Sequence, residues 1–246
     1  EKEDNCMRRI LVMVLHNLFL VPGYWIKLCR HAKHADEYTD EEHYEMIQTI
    51  VHRANKGGRV QVDSYGVENL PKEQGFMLYP NHQGLYDTLA IADAFPYPFS
   101  VVAKKEVQNV PFIKQMMECM KGYCIDRDDI RQSMEIINNV ANDVKKGKNF
   151  ILFAEGTRSR QGNTIQSFKG GSFKCATKAK CPIVPVALIN SFLPFDSKST
   201  KKVVVQVHYL TPITYEEYKD MKTTEIAARV EEAIRETIKK YNNSAS

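Results

Sequence analysis

The sequence predicts an α/β fold: a single, largely parallel central sheet flanked by helices and preceded by a helical N-terminal region. Three observations lead there. From residue 59 onward, short apolar runs alternate with helical patterns, the order expected of parallel strands covered by helices on both faces. The 246 residues are enough for one substantial core. Hydrophobic residues at 43% and charged residues at 26% are the proportions of an ordered globular chain.

The N-terminal region comes first. From Ile10 to Ile26 no residue is charged, with Arg8 and Arg9 before the run and Lys27 and Arg30 after it. At about 17 residues the run lies at the lower edge of what spans a bilayer, and His16, Asn17 and the Pro22-Gly23 break argue against a clean span. No small-x-small cleavage site follows, which argues against a signal peptide. Tyr24 and Trp25 are residue types found at headgroup depth. These features favour an interfacial helix lying on or partly in the leaflet with its basic residues on the water side, over a buried cap on the core. The polar residues before Met7 are read as lying outside the folded unit. A second helical pattern, Glu41 to Ala54, places Tyr44, Ile47, Ile50 and Val51 on one face, with Thr39 or Asp40 as its cap. Gly57-Gly58 then punctuates the chain. The expected division is a helical, membrane-docking region over 1–56 and a second unit over 57–246.

In that second unit the strand-like runs are Arg59–Tyr65, Gly75–Tyr79, Phe99–Ala103, Tyr123–Ile125, Phe150–Phe153, Ile183–Ile189 and Lys202–Leu210. Helical patterns fall at Thr88–Ala94, Phe112–Met120, Ile130–Lys145, Gly171–Lys178 and about Thr224–Lys240. In sheets of this kind the chemistry sits beyond the carboxyl ends of the strands.

Composition excludes some classes. A net charge of +4 suits anionic headgroups or phosphorylated substrates but is too weak to argue for nucleic acid, and no basic run is interleaved with aromatics. The six cysteines form no CxxC pair and point to reduced thiols in a cytosolic setting. His16, His31, His34, His43, His52 and His208 have no partners at motif spacing and are read as surface or membrane-proximal residues.

Four segments after strands carry chemistry. In Asn81-His82-Gln83-Gly84-Leu85-Tyr86-Asp87, a His at a strand end has a carboxylate one helical turn beyond. Asp87 can fix the tautomer of His82 and leave the other ring nitrogen as a proton acceptor. The pair offers only two metal ligands, with no second His at zincin spacing, and no G-x-S-x-G elbow suggests a hydrolase. In Phe153-Ala154-Glu155-Gly156-Thr157-Arg158-Ser159, an arginine, two hydroxyls and a glycine converge in a way that suits a phosphate monoester. Arg160 and Lys169 lie near in sequence. The third segment is Gly122 to Arg127, and the fourth is Pro182-Ile183-Val184-Pro185-Val186, read as sheet interior or substrate wall. Lys104-Lys105 adds cationic charge at the same sheet edge.

In this order and at these separations, the four segments resemble the conserved blocks of the glycerolipid acyltransferases, and among these the 1-acyl-sn-glycerol-3-phosphate acyltransferases. The Asn-His-x4-Asp block falls on Asn81, His82 and Asp87. The Gly-to-Arg block falls on Gly122 and Arg127, Phe-Pro-Glu-Gly-Thr-Arg-Ser on Phe153 and Glu155–Ser159, and the proline-rich strand on Pro182–Val186. The resemblance covers about residues 56–215, and the N-terminal helices are similar to the membrane-docking pair of bacterial members. Ala154 stands where the family usually has Pro, and Gly84 where many members have Ser.

The resemblance implies acyl transfer from an acyl-CoA or acyl carrier protein thioester to the sn-2 hydroxyl of a lysophospholipid, 1-acyl-glycerol 3-phosphate, giving phosphatidic acid. His82 would be the general base and Asp87 its orienting partner. Arg158 and Arg127, with Lys104 or Lys105, would hold the acceptor phosphate, in a pocket shaped by Glu155, Gly156 and Thr157. The oxyanion donor would be a backbone N–H near Gly84 or in the fourth block. No cofactor or metal is implied, the partner is a membrane phospholipid surface, and the place is the cytoplasmic face of the cell membrane, held peripherally or monotopically. The rival readings are an acyltransferase for glycerol 3-phosphate or another lysolipid, a thioesterase, and a non-catalytic lipid-binding protein.

Overall fold

A computed structural model describes residues 2–126 and 128–242. Three helices lead: α1 (Lys2–His16), α2 (Val21–Lys33) and α3 (Asp40–Gly58). The uncharged run is therefore not one helix. It breaks after His16, and the two pieces bend by 100°. The break follows from chemistry: the Asn17 amide donates to the Met13 and Arg53 carbonyls at 2.9 and 3.1 Å. Pro22 then sits in the first turn of the next helix, where its missing N–H costs nothing. Helix α1 begins at Lys2, so residues 2–6, read as outside the folded unit, are helical, and Glu1 lies outside the described residues. Thr39, not Asp40, caps α3, in a reciprocal capping box with Glu42.

Gly57-Gly58 does not end the unit as a loop would. Both residues are buried in the last turn of α3, and the reversal falls on Arg59 in the left-handed region. The glycines let α1 cross closely: a methyl on Gly57 would stand 2.8 Å from Asn17 Nδ2, and one on Gly58 would collide with Met13. Arg9 corrects the expectation of basic residues on the water side. It is fully buried, and its guanidinium donates to the carbonyls of Gly58 (2.5 Å), Ser199 (2.6 Å) and Lys201 (3.0 Å). The carbonyls at the C-terminal end of α3 are a favourable place for a cation. Three histidines read as surface residues are also buried: His31, His43 and His208. His31 and His43 join α2 to α3 through their Nδ1 atoms at 3.2 Å. Burial pushes His208 down to about 4.

The strands are β1 (Val60–Tyr65), β2 (Met77–Pro80), β3 (Phe99–Lys104), β4 (Tyr123–Ile125), β5 (Asn149–Ile151), β6 (Ile183–Ile189) and β7 (Val203–Tyr209). They form one sheet in the order β1-β7-β6-β2-β5-β3-β4. Every adjacent pair is parallel except β6 and β7. The remaining helices are α4 (Asp87–Ala94), α5 (Ile113–Cys119), α6 (Ile130–Lys145), α7 (Lys174–Ala179), α8 (Leu193–Asp196), α9 (Tyr215–Tyr218) and α10 (Thr223–Asn242).

Alternation along the strands divides the core in two. Leu78, Ile151, Val184, Val186 and Leu188 face α1–α5, packing with Leu28, Ile47, Ile91 and Met116. Met77, Tyr79, Phe150, Ile183 and Ala187 face α6, α7 and α10, packing with Val140, Ala176 and Val230. The N-terminal helices thus share the first core rather than owning one. Strands β2 and β6 are buried along their whole length, which holds their carboxyl ends rigidly. Cys29, Cys119, Cys124, Cys175 and Cys181 are free, and burial pushes the thiols of Cys119, Cys175 and Cys181 up to about 12.

Candidate active site

The loop after β2 is tied to its neighbours by side chains that mimic backbone. Asn81 exchanges two bonds with Leu188: its Oδ1 accepts from the Leu188 N–H at 2.7 Å and its Nδ2 donates to the Leu188 carbonyl at 3.1 Å. Gln83 accepts from the Ser191 N–H (2.8 Å) and donates to the Leu188 carbonyl and to Asn163 Oδ1, both at 2.9 Å. His82 lies between these two anchors.

His82 Nδ1 is 2.8 Å from Asp87 Oδ2, with 22% of the histidine side chain exposed and 1% of the aspartate's. An ionised carboxylate only accepts, so Nδ1 carries the proton and Nε2 the free lone pair. Among the described residues Nε2 has no partner. The same Asp87 oxygen accepts from the Gln83 N–H (2.7 Å) and the Gly84 N–H (3.0 Å), so three donors converge on it at the start of α4. The imidazole stacks on Phe153 with ring centroids 4.1 Å apart.

The loop after β5 locks onto the same histidine. Glu155 Oε1 accepts from the His82 N–H at 2.7 Å, and the Ser159 N–H donates to the His82 carbonyl at 2.8 Å. Glu155 Oε2 accepts from the Gln166 N–H at 3.0 Å. Both carboxylate oxygens are thus engaged with backbone, which places Glu155 as a clamp on His82. Burial pushes Glu155 up to about 7, against the His82 and Gln166 hydrogen bonds that favour its charge.

That shift has a testable sign. A folded value near 7, above the ordinary 4.5 of a glutamate, means the native state holds a proton that the unfolded state has released. Stability from this group is full below pH 4.5 and is lost as the pH rises to about 7, by an amount on the order of 3 kcal/mol. Glu155→Gln cannot ionise. The thermal midpoint of the wild type should therefore fall relative to Glu155→Gln between pH 5 and 7.5, by several degrees. Parallel curves would show that burial does not shift this carboxyl.

The other expected residues are placed unequally. Arg158 is half-buried, and no carboxylate among the described residues pairs with its guanidinium. Thr157 is exposed, and Gly156 adopts φ +77° beside Glu155. Lys104 and Lys105 lie at the carboxyl end of β3, but each is already paired: Lys104 with Glu106 at 3.1 Å, Lys105 with Asp126 at 3.0 Å. Arg127 lies outside the described residues. The Gly84 N–H is spent on Asp87, so it is not the oxyanion donor. In the fourth block, Ile183–Val186 is fully buried within β6, as sheet interior. A methyl on Gly84 would stand 3.3 Å from Asp196 Oδ2 and Phe192 Cα, so α8 leaves little room for the family's serine.

Sequence reasoning missed the anchoring by Gln83, Asn163 and Gln166, and the stacking of Phe153. Only one signal pointed to Gln83, its place between His82 and Asp87.

A family model described as Acyltransferase matches residues 61–189. The chain is 32% identical over 189 residues to the 1-acyl-sn-glycerol-3-phosphate acyltransferase of Saccharomyces cerevisiae, covering 75% of this chain and 62% of that protein. It is 34% identical over 149 residues to the enzyme of the same name from Salmonella typhimurium, covering 60% of each. A probable 1-acyl-sn-glycerol-3-phosphate acyltransferase of Mycoplasma pneumoniae is 26% identical and matches 94% of this chain and 91% of that protein. The chain thus spans less than two thirds of the yeast and Salmonella relatives. The crystal structure of the 1-acyl-sn-glycerophosphate acyltransferase from Thermotoga maritima superposes with a TM-score of 0.76 at 22% identity, over 96% of this chain and 98% of that one, which is a likeness of fold. The matched segment holds His82, Asp87 and the whole Glu155–Ser159 loop, and on that match the chain belongs to the acyltransferase family.

Proposed function

We propose that the chain transfers an acyl group from an acyl-CoA or acyl carrier protein thioester to the sn-2 hydroxyl of 1-acyl-glycerol 3-phosphate, giving phosphatidic acid. The observation that carries this reading is the His82–Asp87 pair, with its free Nε2 at the carboxyl end of β2 and Asp87 held by two backbone N–H groups. His82 Nε2 takes the hydroxyl proton as the acceptor oxygen bonds to the thioester carbonyl carbon. The tetrahedral intermediate then expels the thiolate, which takes the proton from the imidazolium and leaves as the thiol. Asp87 supports the imidazolium between these steps. Arg158 holds the acceptor phosphate and so fixes the hydroxyl against His82.

The test is thiol release from acyl-CoA with and without lysophosphatidate. Release that requires the acceptor supports the reading. Release without it means a thioesterase, and release only with other lysolipids or glycerol 3-phosphate means a different acceptor.

The site meets its lipid through the corner between α1 and α2. Leu15, Leu18, Phe19, Leu20, Trp25 and Ile26 are exposed there, Phe19 at 96% and Ile26 at 67%. No single helix among the described residues is long and apolar enough to cross a membrane. An apolar corner with exposed Arg8, Lys27 and Arg30 beside it suits insertion into one leaflet, with cations at the headgroups. Each buried large side chain contributes roughly 2 kcal/mol. Phe19→Glu with Ile26→Glu should weaken flotation with anionic vesicles by at least roughly tenfold, yet leave turnover of a short-chain soluble acceptor unchanged. Equal loss on both would assign the corner to folding.

A further inference from the structure

Resting on the reading of an acceptor that bears a phosphate, we propose that Lys169 is the second cation of the phosphate site, acting with Arg158. Lys169 stands outside the Phe153–Ser159 loop in sequence, but the fold brings it back. Its backbone N–H donates to the Ala154 carbonyl at 2.9 Å, which fixes its Cα beside the loop. Its side chain then lies along Gly156: a methyl built there would stand 2.9 Å from Nζ, 3.2 Å from Cε and 3.4 Å from Cδ. Glycine at 156 thus serves two needs, a φ of +77° and a clear path for the lysine.

The loop that Lys169 overlies is the one gripping His82. Glu155, next to Gly156, holds the His82 N–H, and Ser159, next to Arg158, holds the His82 carbonyl. Arg158 therefore belongs to the segment bonded to the base, and Lys169 lies against that segment at Gly156. The Lys169 ammonium is exposed, and among the described residues no hydrogen-bond or ion-pair partner engages it. Lys104 and Lys105 differ in this respect, since each brings its own carboxylate, Glu106 or Asp126, and adds little net charge. A compact ammonium with three rotatable donors complements the planar fork of Arg158 around a tetrahedral phosphate. Lys169 touches the phosphate and not the reacting atoms, so it acts on acceptor binding rather than on the chemical step.

The experiment is steady-state thiol release by the whole chain, with lysophosphatidate and with 1-acylglycerol, which lacks the phosphate. Lys169→Gln should raise the lysophosphatidate KM by about tenfold or more, with kcat and the thioester KM little changed. The 1-acylglycerol reaction should not respond. Lys169→Arg should retain most of the affinity. Gly156→Ala, which displaces the lysine, should move the same KM in the same direction. Because Lys169 is exposed, the thermal midpoint of Lys169→Gln should match the wild type. An unchanged lysophosphatidate KM in Lys169→Gln, or equal losses on the two acceptors, overturns the assignment alone. Wild-type protein that shows no lysophosphatidate-dependent release overturns the acceptor reading, and the assignment with it.

Discussion

Replacing His82 with alanine should reduce acyl transfer by about 10²–10⁴-fold, the usual contribution of a positioned general base, while leaving the fold in place. The structure separates the two effects because the loop is held by the backbone of His82, not by its ring. The His82 N–H goes to Glu155 and its carbonyl to Ser159, and both bonds survive truncation of the side chain. What the fold loses is the ring's stacking on Phe153 and one bond to Asp87, from a side chain already 22% exposed. The thermal midpoint should therefore fall by only a few degrees. Measuring thiol release and melting on the same preparation decides the matter. Near-normal turnover in His82→Ala would remove the base from the mechanism. A collapse in melting would leave the kinetic loss without meaning, and His82→Gln, closer in size, would then be the variant to assay.

Much of the architecture was legible because it rests on short-range patterns. All seven strand runs appear in the sheet, and Ile130–Lys145 is a helix over the expected residues. The order of the strands was not legible, and neither was the reversal of β7 against β6, since both depend on pairings far apart in sequence. The N-terminal run was legible in part. Asn17 and Pro22-Gly23 already argued against a clean span, but the bond from the Asn17 amide to the Arg53 carbonyl of α3 depends on the folded chain. Arg9 reads as a flanking charge in sequence, but three carbonyls from α3 and the 199–201 segment take it inside. Gly57-Gly58 reads as a turn because glycine is a turn residue; here it is the gap through which α1 crosses α3.

The site divides along the same line. His82 and Asp87 were legible because they sit five residues apart, and a strand end followed by a helix start brings them together whatever the rest of the chain does. Glu155, Lys104 and Lys105 were legible as candidates, but the contacts that hold them were not. Glu155 is close enough to His82 to matter, but as a backbone acceptor. Lys104 and Lys105 are at the right sheet edge, but with partners whose proximity only the folded chain reveals. Lys169 was named only as a neighbour in sequence, and the close approach over Gly156 that gives it a role is tertiary.

Asp87→Asn should cost roughly 10²–10³-fold in turnover, no more than the loss of the base itself. The size follows from how Asp87 is held. Its Oδ2 accepts from three donors, His82 Nδ1–H and the Gln83 and Gly84 N–H groups, while its buried Oδ1 has no partner. An asparagine placed the same way keeps its oxygen on the three donors and leaves its amide in the pocket of Oδ1. The reverse orientation would set an NH₂ against three N–H groups, so the first is preferred. The tautomer of His82 is then kept, and what disappears is the negative charge that steadies the imidazolium. Asp87→Ala should be worse, because it also strands two buried N–H groups, each at about 1–3 kcal/mol. Since the charge acts only through His82, Asp87→Asn in a His82→Ala background should change thiol release by less than about twofold. A further large drop in that double variant would mean that Asp87 acts on the substrate directly, and the dyad would have to be abandoned.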